Sequence, residues 1–400
     1  MQRDLLSRSQ SGNVVAVSWS VLDLKSVCAL LTPAAVALLL PVGAVAATGT
    51  SDAAVQRGLE RLVAAPGGPV GAIATLSRDG RTIVLRAGRA DVTRPGAPRV
   101  GDHMRIASIA KAFSGAVALH LVQEGLLGVN DTIGERLPGM MPPEWSAVTV
   151  REMLNHTSGL PDYTQSAGFR KQAMTNPRGY VSPTEIIDWV RKDGLVFTPG
   201  SRYEYSNTDN IVVGLIAQQV TGESYGRLLS TLVFRPAGLT QTSFPTRRIS
   251  LPAPFLHGYD VEPGQAPQDV TTLLSPSGAW ASGAIVSTPG DLGAFIRADL
   301  GGRFFGEAQR REQLQFVPGS SSPAGPGTNS AGLAIFRYKT ACGTVYGHTG
   351  NFPGYVQWAA ATADGRRSVT TSLNIAAPTG GLLRQLRSVQ ASAVCALLGK

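Results

Sequence analysis

The chain has 400 residues, 43% of them hydrophobic and 16% charged, with a net charge of +9. That length supports one large domain or two intertwined ones, and the composition excludes a disordered chain. No fixed-period repeat is present, which excludes solenoids and propellers; the basic surplus is spread without a dense Lys/Arg block, which argues against nucleic-acid binding.

Positive residues Arg3, Arg8 and Lys25 precede an uncharged run, 26–47, that ends in small residues. Ala44-Val45-Ala46 fits a small-x-small cleavage site. Residues 1–47 are therefore expected to be a signal peptide, and the protein to be secreted, with no stable membrane anchor after cleavage. A retained transmembrane anchor is the alternative. Cys28 lies inside this run without a lipobox before it. Cleavage leaves Cys342 and Cys395, which in an oxidising compartment suggests one disulfide; two buried free thiols are the alternative.

Residues 52–65 have helical spacing, with Val55, Leu59 and Leu62 on one face. Two strands follow, joined by a turn at Arg78-Asp79-Gly80. From Ile106 to Glu124 the period is helical again, with Gly125 as its stop. The stretch to about 275 alternates short helices and loops. One helix opens with a Ser182–Glu185 capping box, and another runs through "NIVVGLIAQQVTG" to Gly222. Residues 317–331, rich in Pro, Gly and Ser, read as a mobile surface loop. Strands return after them, including a hairpin across Ala363-Asp364-Gly365, and an amphipathic helix closes the chain. The expected fold is α+β. An antiparallel sheet built from 48–111 and 276–400 is flanked by N- and C-terminal helices, and 112–275 form a mostly helical inserted domain. The cleft between the two parts is the natural place for a site.

Three short motifs can carry chemistry there. Ser108-Ile109-Ala110-Lys111 puts a hydroxyl and an amine one helical turn apart. A serine needs a base to become a nucleophile, and a buried lysine can be one. Alone, the pattern also fits an N-cap serine beside a solvent-seeking lysine. Tyr205-Ser206-Asn207 offers a phenol that can shuttle protons and an amide that can donate and accept at once; its structural reading is a loop capping the next helix through Asn207 or Asp209. Tyr203 is the competing tyrosine. His348-Thr349-Gly350 follows strand-like residues, so its backbone can hold a substrate along a sheet edge, and the charge of His348 is expected to depend on pH. The remaining histidines, among them His156, lack metal-ligand spacing, which argues against a zinc hydrolase. No Gly-x-Ser-x-Gly elbow is present.

The three motifs occur in the order Ser-x-x-Lys, Tyr-x-Asn, His-Thr-Gly. In this, and in "EMLNHTSGLPDYT" and "PGSRYEYSNTDNIVVGLI", the chain from about 53 to 398 resembles the serine β-lactamase/penicillin-binding family. It looks most like secreted D-alanyl-D-alanine carboxypeptidases. The resemblance implies a penicillin-sensitive DD-peptidase that releases D-alanine from peptidoglycan stem peptides through an acyl-enzyme, with a β-lactamase or esterase on the same fold as the alternative. It implies that Ser108 is the nucleophile, that Lys111 and Tyr205 handle its proton, and that Asn207 holds the substrate carbonyl. Backbone N–H groups of Ser108 and Asn351 would form the oxyanion hole, and His348 and Thr349 would line the leaving-group side. Gly350, Tyr163 and Arg337 join the substrate-binding set. Cys342 and Cys395 match a disulfide of those carboxypeptidases. Neither metal nor cofactor is expected, and the partner is a peptidoglycan-type peptide, a β-lactam or an ester met by a monomer. Two positions depart from the family pattern. Phe336 stands where related carboxypeptidases carry a carboxylate-binding Arg, with Arg337 beside it, and Asn351 stands where they tend to have Thr.

Overall fold

The computed structural model describes residues 50–400; the expected signal peptide, 1–47, lies outside them. Helix α1, Thr50–Ala64, buries Val55, Leu59 and Leu62, the face read from the sequence. Strands β1, Gly71–Arg78, and β2, Arg81–Gly88, form a hairpin whose turn residues Asp79 and Gly80 have φ of 52° and 72°. Positive φ at both positions gives the turn twist that matches a right-twisted hairpin.

Five more strands come from the C-terminal third: β3 Thr328–Ala331, β4 Phe336–Thr340, β5 Gly343–Phe352, β6 Tyr355–Ala361 and β7 Ser368–Leu373. The sheet order is β2-β1-β7-β6-β5-β4-β3, and every neighbouring pair is antiparallel. Thus the two ends of the chain share one sheet, closed where β1 pairs with β7. Its outer face is covered by α1 and by the helix Gly380–Leu398, around a core that includes Trp358, Leu386 and Val389. Arg78 ties these pieces together: its Nη2 donates to both oxygens of Asp52, at 2.8 and 2.9 Å, and its Nη1 donates to the Ala396 carbonyl.

The inner face meets helix α2, Ala110–Gln123, and helix α4, Pro289–Leu300, and helix α3, Thr208–Thr221, packs against α2. The sequence suggested one apolar face on α2. In the structure α2 is buried from Ala110 to Leu119, because α3, the segments Trp280–Gly283 and Leu229–Phe234, and strand β5 pack around it. Phe113 stacks on Phe295 at 3.5 Å. Capping boxes begin three of the short helices, at Thr132, Thr149 and Ser182, each with a Glu three residues on.

Residues 317–331 are not the free loop that their composition suggested. Thr328–Ala331 form the edge strand of the sheet, and Ser320 is fully buried. The Ser320 Oγ accepts the Ala331 N–H at 2.6 Å, and Asn329 Nδ2 donates to the Ser321 and Pro323 carbonyls. Gly325 lies flat on the Tyr338 ring, where a Cβ would come within 2.1 Å of a ring carbon. Composition registers the turn-formers here but not the hydrogen bonds that fix them.

Cys342 and Cys395 form a disulfide across 53 residues, tying the start of β5 to the C-terminal helix. On the chain-entropy account, closing a loop of that size contributes about 2–4 kcal/mol. A Cys342→Ser/Cys395→Ser variant should lose about that much in urea unfolding, with a somewhat steeper slope because the unfolded chain is no longer cross-linked; an unchanged midpoint would count against it. Among the described residues, no helix is long and apolar enough to cross a membrane.

Candidate active site

Ser108 sits in a one-turn 3-10 segment, Ala107–Ile109, that runs directly into α2. The residue before it, Ala107, has φ of +51°. A left-handed alanine costs roughly 1–2 kcal/mol and persists only where its surroundings enforce it. They do so on both sides. Met104–Arg105 pairs with Val286–Ser287, and the Ile106 N–H donates to the Ile285 carbonyl at 3.1 Å. On the other side Gly350 of β5 lies so close that a Cβ there would be 2.3 Å from the Ile106 oxygen and 3.1 Å from the Ser108 nitrogen. Ser108 is thereby presented at the N-terminal end of α2, where the helix dipole favours developing negative charge.

Lys111 is fully buried, one turn on. Its Nζ contacts three oxygens: Asn207 Oδ1 at 2.8 Å, the Ser282 carbonyl at 3.0 Å and Ser108 Oγ at 3.2 Å. Burial pulls its pKa from 10.5 down to about 7, against the opposing pull of Asp162 and Asp209. The neutral amine therefore exists at working pH. Two of the three oxygens can only accept. They take the two N–H bonds of the neutral amine, and its lone pair is left facing Ser108 Oγ, the one partner with a proton to give.

Tyr205 lies alongside, its ring 5.0 Å from Lys111 Nζ, 4.2 Å from the His156 ring and 6.4 Å from the His348 ring. Its hydroxyl is enclosed and forms no well-aligned hydrogen bond, although Ser108 is near enough to favour the phenolate slightly. Burial outweighs that and raises the phenol well above its usual 10, so it stays protonated. Tyr203, the competing tyrosine, gives its hydroxyl to the Ser322 carbonyl instead.

Asn207 stands at the start of α3, as a cap would, but its side chain makes no capping bond. Its Oδ1 accepts from Lys111, and its Nδ2 donates to both oxygens of Asp162, at 3.0 and 3.2 Å. Below Tyr205, His156 Nδ1 is hydrogen-bonded to Asp209 Oδ2 at 2.7 Å, and Ser158 donates to the other oxygen of that carboxyl at 2.5 Å. Burial holds His156 well below its ordinary 6.5 and Asp209 well above its ordinary 3.8.

The third motif lies on β5. Pairing with β4 stops at Phe336 opposite Gly347, while pairing with β6 continues to Phe352. Residues 348–352 therefore overhang, leaving one backbone edge free beside Ser108. His348 is buried, and its Nδ1–H donates to the Thr349 carbonyl at 2.5 Å, which leaves Nε2 as the acceptor. Burial, helped by the charge of Lys111, brings its pKa down to about 3. The pH-dependent charge expected of His348 is thus displaced to acid, and the ring is neutral at working pH. Thr349 is buried and Asn351 exposed at the free edge.

Two expected substrate contacts lie elsewhere. Tyr163 is buried behind Ser282, bonded to its Oγ at 3.0 Å and packed on Phe169 and Trp189, so it supports the segment that holds Lys111. Arg337 stacks over Phe316 at 4.4 Å and bonds Ser330, while its neighbour Phe336 packs edge-on to His348 at 5.1 Å. Strand alternation separates these two side chains. The sequence did not single out Asp162, and it offered Asp209 only as a helix cap; their burial beside Lys111 is a property of the fold. Ser282 acts through its backbone carbonyl, for which no residue type is a signal.

The Beta-lactamase family model matches residues 59–391 of the chain. Penicillin-binding protein 4* of Bacillus subtilis (strain 168) is 27% identical over 281 residues, 67% of this chain and 60% of that relative, so the match spans less than two thirds of the relative's length. Among solved structures, a D-stereospecific amidohydrolase from Streptomyces sp. is 30% identical at a TM-score of 0.74, covering 84% of this chain and 98% of its own. The D-amino acid amidase from Ochrobactrum anthropi SV3 is 25% identical at 0.74, covering 88% and 99%.

Proposed function

The chain belongs to the Beta-lactamase family as a serine hydrolase, and from that premise we propose that it is a D-stereospecific amidohydrolase working through an acyl-enzyme on Ser108. The approach of the buried Lys111 Nζ to within 3.2 Å of Ser108 Oγ carries this reading. Ser108 Oγ attacks the substrate carbonyl carbon as its proton passes to Lys111. The carbonyl becomes an oxyanion between the backbone N–H groups of Ser108 and Asn351. Tyr205, which stays protonated, gives a proton to the leaving nitrogen and regains one from Lys111. Water then hydrolyses the ester and restores Ser108. Thr349 and the free edge of β5 align the substrate, and the neutral His348 accepts a hydrogen bond on Nε2.

The leaving group is assigned from Phe336. An aromatic ring occupies the place next to His348, and Arg337 is turned to Phe316. A site without a guanidinium there suits a neutral amide or ester better than a terminal carboxylate. The named solved structures, a D-stereospecific amidohydrolase and a D-amino acid amidase, support the same class. A secreted D-alanyl-D-alanine carboxypeptidase is the second reading, favoured by the penicillin-binding relative and by the Cys342–Cys395 disulfide. The disulfide also supports an extracytoplasmic location.

The test is a panel of D- and L-phenylalanine amide, a diacyl-L-Lys-D-Ala-D-Ala peptide and nitrocefin, with mass spectrometry of the stalled protein. Ammonia release from the D-amide alone, with an adduct on Ser108, is the expected result. D-alanine release without amide turnover moves the assignment to the carboxypeptidase, and fast nitrocefin turnover to a β-lactamase. No adduct on Ser108 from any of them, nor from penicillin, overturns the acyl-enzyme.

A further inference from the structure

Asp162 precedes the short turn Tyr163–Gln165 and caps it, its Oδ1 accepting the Thr164 N–H at 3.0 Å. A cap needs one oxygen, and Ser, Thr or Asn would serve. Capping does not account for the remaining bonds of this carboxylate, both of which come from Asn207 Nδ2. The Asn207 amide is thus held between Asp162, which as a carboxylate can only accept, and Lys111, which donates to its Oδ1 and in the ammonium form can only donate. Those neighbours permit one amide orientation. Rotating it by half a turn would set N–H against N–H on one side and oxygen against oxygen on the other.

We propose that Asp162 is a positioning residue for the proton-transfer apparatus: it locks Asn207 with its carbonyl on Lys111 and acts as a countercharge to the Lys111 ammonium. This rests on the acyl-enzyme reading only for its catalytic consequence; the lock and the countercharge are properties of the resting site. The groups that face Lys111 fit the assignment. From α2 and its preceding turn there is only Ser108. The 156–162 segment supplies Asp162 and His156, α3 supplies Asp209, and β5 supplies His348. Tyr205 is protonated, and both histidines are held neutral. Only the two carboxyls offset the effect of burial on Lys111, and Asp162 is the stronger of them. Asp209 is committed to His156 and Ser158, whereas Asp162 reaches the lysine through one shared amide.

Two variants separate this role from capping. Asp162→Asn keeps an acceptor for Thr164 but removes the charge and turns an N–H toward Asn207. Asp162→Ser keeps a cap and removes the charge. The Lys111 titration is read directly in the full chain from its Cε carbon shift by NMR, which needs no substrate. Both variants should titrate lower than the parent by about 1 pH unit. Acylation by penicillin or a p-nitrophenyl ester should slow about 10-fold or more, with its acid limb moved the same way. An unmoved Lys111 titration in both variants overturns the proposal, even if acylation slows, since that is what a lost cap would give. If the parent forms no Ser108 adduct but its Lys111 titration shifts on substitution, the acyl-enzyme reading fails and the positioning role stands.

Discussion

Lys111→Met should lose about 10³-fold in acylation rate while keeping its fold, because the substitution removes the base and leaves the buried stem in place. The pH profile is the sharper readout. The active form has a neutral lysine, so acylation by the parent protein should rise with pH through the value at which Lys111 gives up its proton, about 7. Below that the ammonium has no lone pair, and Ser108 keeps its hydrogen. Neither neighbour gives the same limb. Tyr205 is held well above 10, and His348 has lost its proton by about 3. In Lys111→Met the limb near 7 should vanish, with residual activity flat across it. The stability consequence has the opposite sense from that of an ordinary ion pair. The folded chain releases this proton near 7 and the unfolded chain near 10.5, so between those values the unfolded state binds more protons, and the Lys111 contribution to stability rises with pH. A parent limb near 7 that persists in Lys111→Met would assign the base elsewhere.

What the sequence carried follows from the kind of information that each feature needs. Ser108 and Lys111 were legible because a helix brings i and i+3 together whatever surrounds it. The hairpins were legible because Asp79-Gly80 and Asp364-Gly365 are turn chemistry set between alternating runs. The shared sheet was legible from the order of elements. The supports of Lys111 were not. One is the carbonyl of Ser282, a group every residue has. Another is Asp162, placed 45 residues before Asn207 by loops whose path no local pattern dictates. Arg337 and Tyr163 belonged to the substrate-binding set only through the family resemblance. Strand alternation turned the first to the face opposite Phe336, and burial behind Ser282 removed the second. His348 lies on β5 with its ring 6.4 Å from that of Tyr205. Its charge state was not legible, since that depends on how completely Lys111 and the sheet enclose it.

Gly350→Ala should reduce acylation about 100-fold, from a single methyl group aimed at the turn that carries Ser108. The added Cβ falls 2.3 Å from the Ile106 carbonyl oxygen and 3.1 Å from the Ser108 nitrogen. Both are backbone atoms, so no flexible side chain can move aside. The strand is held by β6, so the nucleophile turn must yield. That turn already carries Ala107 at φ +51°, a conformation that depends on its packing. A displacement near 1 Å moves Ser108 Oγ away from the Lys111 lone pair and shifts one oxyanion donor; misplacement on that scale costs about 10²-fold. The loss should appear in kcat, with KM nearly kept, because the free edge of β5 still binds substrate. Gly278→Ala is the comparison. It lies on the segment leading to Ser282, but a Cβ there meets nothing within 4 Å, so its activity should match the parent. Should Gly350→Ala acylate within about 2-fold of the parent at equal stability, the close approach of β5 to Ile106 does not position Ser108, and the strain at Ala107 must be held by the pairing with Val286 alone.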